Sequence, residues 1–150
     1  MVDQSIIGPP RPAELNRALE ALHFAFRAVV AGPDSVLTER GLSRVHHRIL
    51  YFIAKTPNMR VSELRATLNV TKQAMNGPLR ELTERRLVSE VIDGQDRRIK
   101  HLRLTAAGRA LEQTLSGEQR ERFARVFNRV GKKKELAWHE VMRLLAADEP

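Results

Sequence analysis

Gln73, Asn76 and Arg80 are spaced by three and then four residues, so a helix through them sets their side chains on one side. These residue types suit base edges: a carboxamide pairs bidentately with adenine, and a guanidinium with guanine. Lys72 stands at the start of the same stretch, where an ammonium meets a phosphate, and Gly77 on the same side leaves room for close approach. A second cationic group follows in D93-G94-Q95-D96-R97-R98-I99-K100. There Arg97, Arg98 and Lys100 occupy the tip and second strand of a hairpin, from which an arginine can enter a narrow minor groove. Arg103, further along that strand, reads as strand surface. Polar residues on one face also describe any solvated helix; the cationic hairpin next to it is what points to a nucleic acid.

Other chemistries find less support. There is no phosphate loop, no nucleophile elbow and no paired carboxylates in a cleft-forming context, so nothing suggests an enzyme. The five histidines lack ligand spacing with carboxylates, and cysteine is absent, so no metal site, disulfide or cofactor is expected. The 150 residues carry a net charge of +8 with 42% hydrophobic residues, and the pI is near 10.7. That balance favours an anionic partner, nucleic acid before an acidic membrane. No apolar run reaches the roughly 20 residues of a membrane span, and the N-terminal residues lack a secretion signal, so a cytoplasmic protein is expected.

The elements that must position these groups follow from periodicity. Pro9, Pro10 and Pro12 suggest an extended leader. Leu15, Leu19, Leu22, Phe26 and Val29 mark an amphipathic helix over 13–31, which Gly32-Pro33 is expected to end. Ser43 caps a second helix carrying Val45, Ile49, Phe52 and Ile53. Met59-Arg60-Val61 suits a short strand, Ser62 caps a brief helix to Leu68, and Thr71 caps the next, which runs to Arg86. The hydroxyls of Ser43, Ser62 and Thr71, placed at helix starts, are counted with the DNA-contacting set. Period-two stretches Val88–Ile92 and Ile99–Leu104 form the hairpin. Thr105 caps a long helix ending at Gly131, with Gly117 a soft spot, and a last helix carries Leu136, Trp138, Val141, Met142 and Leu145. Within the second helix of the pair, Gly77-Pro78 predicts a kink; a full break after Asn76 is the competing reading. The kink is preferred because Leu79 and Leu82 continue the stripe begun at Met75.

Helix, tight turn, helix and β-hairpin make a winged helix-turn-helix, in a mainly α fold. Here the chain resembles the MarR family of winged-helix transcriptional regulators. The resemblance rests on D96-R97-R98 followed by a strand ending in L104-T105-A106-A107-G108, and on S62-E63-L64-R65-A66-T67-L68 with L79-R80-E81-L82 upstream. It implies that Asp96 braces the wing by pairing with Arg98, and that Arg98 reaches the minor groove. Q73-A74-M75-N76 departs from the family's usual Thr-Val-Thr-Arg-like pattern, which leaves the operator sequence open.

The terminal helices carry more apolar surface than a small winged domain can cover, so 13–31 and 105–147 are expected to pair two copies around the 42–104 DNA-binding region. The resemblance also implies a small aromatic or phenolic ligand, for which His23, Phe26, His46, His47 and Tyr51 are candidate lining residues. The expected function is a homodimeric, sequence-specific regulator of double-stranded DNA, a repressor by preference. The alternatives are a winged module for protein or RNA contact and a nonspecific architectural DNA binder.

Overall fold

The computed structural model describes residues 11–148; Pro9 and Pro10 of the expected leader lie outside the described residues. In chain order the elements are α1 (Pro12–Glu39), α2 (Arg44–Lys55), β1 (Met59–Arg60), α3 (Val61–Leu68), α4 (Lys72–Glu84), β2 (Val88–Ile92), β3 (Lys100–Leu104), α5 (Ala106–Val130) and α6 (Lys132–Ala147). The three strands form one antiparallel sheet in the order β1-β3-β2, with Glu90 opposite Leu102 and Val88 opposite Leu104.

The core sits where α2, α3 and α4 close on the sheet and on the first half of α5. Ile49, Leu50, Leu64, Leu82, Leu102 and Leu115 are fully buried there, each such side chain contributing about 1.5–3 kcal/mol by burial. Met75, Leu79 and Leu82 form the buried stripe of α4, which fixes the opposite side of that helix as outward-facing.

Pro12 belongs to the first turn of α1 rather than to a leader. The expected end at Gly32-Pro33 is also overturned: α1 continues through Pro33, which is buried, to Glu39. Proline lacks the N–H that would bond the Val29 carbonyl, and the Nε2 of Gln119 on α5 donates to that carbonyl instead, at 3.2 Å. Gly32 makes room for the same neighbour, because a Cβ there would lie 3.1 Å from the Glu118 carboxyl carbon. The Gly-Pro step is where α5 docks on α1.

α3 begins one residue before Ser62, with Arg60 as its N-cap, because β1 feeds directly into the helix. Ser62 is therefore inside the first turn and not the cap. α4 is one unbroken helix across Gly77-Pro78, which excludes a break after Asn76, and α5 runs through Gly117 without interruption.

A clasp joins α4, β2 and α5. Arg86 takes a left-handed φ of 58°, and the Thr105 hydroxyl donates to its carbonyl at 2.6 Å while accepting from Gly108 N–H at 3.0 Å. A Cβ on Gly108 would lie 1.9 Å from the Leu87 carbonyl oxygen, so only glycine fits. This accounts physically for the Leu-Thr-x-x-Gly ending of the wing strand.

The outer helices are different. α6 has no buried residue, although Phe123 and Phe127 of α5 stack on Trp138 with centroids 5.4 and 5.5 Å apart. Leu15, Leu19 and Leu22 on α1, and Leu136, Val141 and Leu145 on α6, remain exposed.

Candidate nucleic-acid interface

Between α3, α4 and the wing lies a groove of about 750 Å³. Its walls bring together Ser62, Lys72, Asn76, Arg80, Arg98 and Lys100 from the expected set, and add Arg60 and Arg65, which the sequence reading left out. Arg65 was legible: it stands three residues after Ser62, on the same side of a helix. Arg60 was hidden by its place in a two-residue strand.

The charges in this groove are not equivalent. Arg60 pairs with Glu63 at 3.7 Å and Lys100 with Glu90 at 3.3 Å, which offsets part of their field. Among the described residues, Arg65, Lys72 and Arg80 have no carboxylate within 4.0 Å and present full positive charge to solvent. Gln73 and Gly77 are exposed on α4 beside the groove, and none of the described residues comes within 4 Å of where a Gly77 side chain would begin. Thr71 caps α4 by accepting from Ala74 N–H at 3.1 Å. Ser43 lies at the start of α2 and does not line the groove.

The wing holds Arg98 in a defined pose. Asp96 Oδ1 accepts from the Arg98 amide at 3.0 Å and from its Nε at 3.1 Å, while Oδ2 accepts from the guanidinium at 3.0 Å. The Arg98 side chain nevertheless stays 90% exposed. Hydrogen bonds from Arg98 keep the Asp96 carboxyl below the usual carboxylate range. A charged side chain so held loses less freedom when it meets an anion. Arg97 is exposed at the same turn.

The five candidate pocket residues face different neighbours. His46 is buried; its Nδ1 accepts from Ser43 N–H at 3.0 Å, which puts the ring proton on Nε2, 2.9 Å from Glu81 Oε2. That bond is the main reason the Glu81 carboxyl sits below its ordinary pKa. Glu81 also accepts from Arg85 at 2.7 Å, and Arg85 donates to the Arg40 carbonyl. His46 thus anchors α4 to the α1–α2 corner. His47 turns towards α5, with Nε2 2.9 Å from the Ser116 hydroxyl, and burial pushes its pKa down. Phe26 lies under the Arg44 guanidinium, 5.3 Å from its ring centre, while Arg44 grips Asp34 at 2.7 Å. His23 packs on Phe24 and Tyr51 on Phe52, both edge to face, and His23 and Tyr51 are exposed.

An outward-facing second helix, a cationic groove and an arginine-tipped hairpin define a winged helix-turn-helix protein. Comparison with known proteins makes this specific. The MarR family model matches residues 40–99. The HTH-type transcriptional regulator PetP of Rhodobacter capsulatus is 35% identical over 132 residues, spanning 88% of this chain and 80% of that protein. The chain belongs to the MarR family, and is a DNA-binding transcriptional regulator rather than an enzyme. Solved structures agree on the fold. A crystal structure of a MarR family transcription regulator superposes with a TM-score of 0.72 at 22% identity, over 90% of this chain and 89% of that one. NadR in complex with 4-hydroxyphenylacetate gives 0.66 at 24% identity, over 99% of this chain and all (100%) of that one. Among the described residues, no helix is long and apolar enough to cross a membrane.

Proposed function

We propose that the protein acts in the cytoplasm as a homodimeric repressor that binds a palindromic operator. In this reading α4 enters the major groove, Gln73, Asn76 and Arg80 read base edges, and Gly77 permits close approach. Lys72, with Ser43, Ser62 and Thr71 at helix starts, contacts phosphates, as do Arg97 and Lys100 on the wing. Arg98, held by Asp96, enters the minor groove. The observation that carries the reading is Arg98, whose amide and guanidinium are held by Asp96 through three hydrogen bonds while its side chain stays 90% exposed. Such an arrangement has little structural use inside the chain.

Residues 42–104 form the DNA-binding region, and 13–31 with 105–147 pair two copies; the exposed leucines of α1 and α6 support the pairing. A small aromatic or phenolic anion releases the DNA. The likeness to NadR in complex with 4-hydroxyphenylacetate supports that part, as does the hollow of about 520 Å³ beside Phe24, Arg27, Asp34 and Arg44. His23, Phe26, His46, His47 and Tyr51 belong to α1 and α2 but do not line that hollow.

Selection of bound duplex from a random library, repeated with aromatic acids present, tests the whole reading. Operator enrichment of about 10³-fold over random duplex is expected; uniform recovery of all sequences would instead indicate nonspecific binding. Arg98→Ala should weaken binding about tenfold with the fold intact. Unchanged affinity would remove the wing from the interface. Sedimentation at micromolar concentration should give twice the monomer mass.

A further inference from the structure

His101 is the second residue of β3, next to the wing turn, and does not itself line the groove. Its Nδ1 is 2.9 Å from the Asn58 backbone carbonyl, and its Nε2 is 3.2 Å from Asp93 Oδ1. Both partners are acceptors only. A neutral imidazole has one N–H and one lone pair, so it satisfies one of them and turns its lone pair on the other. Only the imidazolium, with two N–H groups, fits this site. His46 is the internal contrast, since one of its nitrogens faces a donor and the other an acceptor.

Asp93 carries the effect outward. Its Oδ2 accepts from Gln95 N–H at 3.1 Å and from Asp96 N–H at 2.9 Å, fixing the turn, and Asp96 then grips Arg98. At the other end, Asn58 has a left-handed φ of 65°, and its amide bonds the Leu102 carbonyl at 3.1 Å. The Asn58 side-chain oxygen also accepts from Arg103. The chain Asn58–His101–Asp93–Asp96–Arg98 therefore links the α2–β1 loop to the tip of the wing.

We propose that His101, as an imidazolium, is a positioning residue for DNA binding: it locks Asp93 on the wing turn and so aims Arg98. This rests on Arg98 being a DNA contact. The charged groups facing His101 are Asp93 from the turn and Arg60 directly across on β1, with Arg103 two residues along β3; Val91 opposite on β2 is uncharged. The carboxylate and the two hydrogen bonds outweigh Arg60, and the bonds to Asn58 and Asp93 raise the His101 pKa above its ordinary value. The sign follows: the brace is complete below about pH 6.5 and is lost as pH rises through the raised pKa. DNA affinity should therefore fall as pH rises.

The test measures affinity for a mixed-sequence duplex of about 30 base pairs at low, fixed salt, from about pH 6 to about pH 9. Wild type, His101→Gln and Arg98→Ala are compared, and the His101 ring is followed by NMR in the free wild-type protein. Wild type should lose about fivefold more affinity across the range than His101→Gln, whose profile should be flat apart from other groups. The His101 resonance should titrate above about 6.5, and Asp93→Asn should move it down. Equal wild-type and His101→Gln profiles, with Arg98→Ala still weakening binding, would overturn the proposal and leave the wing contact standing. A His101 ring that is neutral at pH 6.5 would also overturn it, without need of any variant. If Arg98→Ala binds as tightly as wild type, the wing contact fails and this proposal falls with it.

Discussion

The chain contains the same dipeptide inside two helices, Gly32-Pro33 in α1 and Gly77-Pro78 in α4, and the surroundings of the two are opposite. At the first, α5 lies against the step: Gln119 bonds the carbonyl that Pro33 leaves without a donor, and the Glu118 carboxylate occupies the space that Gly32 opens. At the second, Pro78 is half-buried on the core side, but the region beyond Gly77 is empty. A glycine inside a helix costs about 1 kcal/mol relative to alanine, and an interior proline about 3 kcal/mol. Packing within the chain offsets that cost in α1. In α4 nothing among the described residues offsets the glycine, which points to a partner outside the chain.

Three sets of substitutions probe this difference. The largest effect is expected for Pro78→Ala, which restores an N–H to the Ala74 carbonyl and should raise unfolding stability by about 2 kcal/mol after lost packing is subtracted. Pro33→Ala should change stability far less, since the Val29 carbonyl already has a donor and a buried ring is lost. Equal urea midpoint shifts for the two would erase the contrast. Next, Gln119→Leu should cost about 1 kcal/mol by stranding the Val29 carbonyl in wild type. In the Pro33→Ala background the same change should cost almost nothing, because the helix then bonds that carbonyl itself. Gly77→Ala should gain about 0.5–1 kcal/mol of stability. Its DNA affinity should nevertheless drop about fivefold; a variant that gained both stability and affinity would show that Gly77 has no role at the interface.

Much of this architecture was legible in the sequence. Strong local signals worked well: Thr71 and Thr105 each cap the helix they precede, Gly131 ends α5, and the alternating run Val88–Ile92 is the strand it suggests. Met75, Leu79 and Leu82 identified the buried side of α4, and thereby its outward side. Failures came where a distant element changes the local balance. No residue near Pro33 reveals that Gln119, far along the chain, supplies the missing donor. Ser62 looks like a cap because a serine before an acidic residue often is one, yet β1 leads straight into α3 and the boundary moves to Arg60. His46 and His47 were candidate lining residues for a ligand, but each is held by its own partner on a different helix. The three bonds between Asp96 and Arg98 could be anticipated from the motif; the support of that pair by His101 and Asn58 could not, because Asn58 is brought there only by sheet register.

The uninterrupted α1 has a mechanical consequence. Its 28 residues make a rod anchored in the core only near Pro33 and Leu37, with the other end projecting. From Pro33 back to Pro12 is about 32 Å, so a tilt of about 10° at the anchored end sweeps the tip through about 6 Å. That exceeds the roughly 3.4 Å rise of one base pair. If α1 pairs two copies as proposed, a slight change of angle where α5 meets Gly32-Pro33 would be geared up into a displacement of several ångströms at the far end of α1.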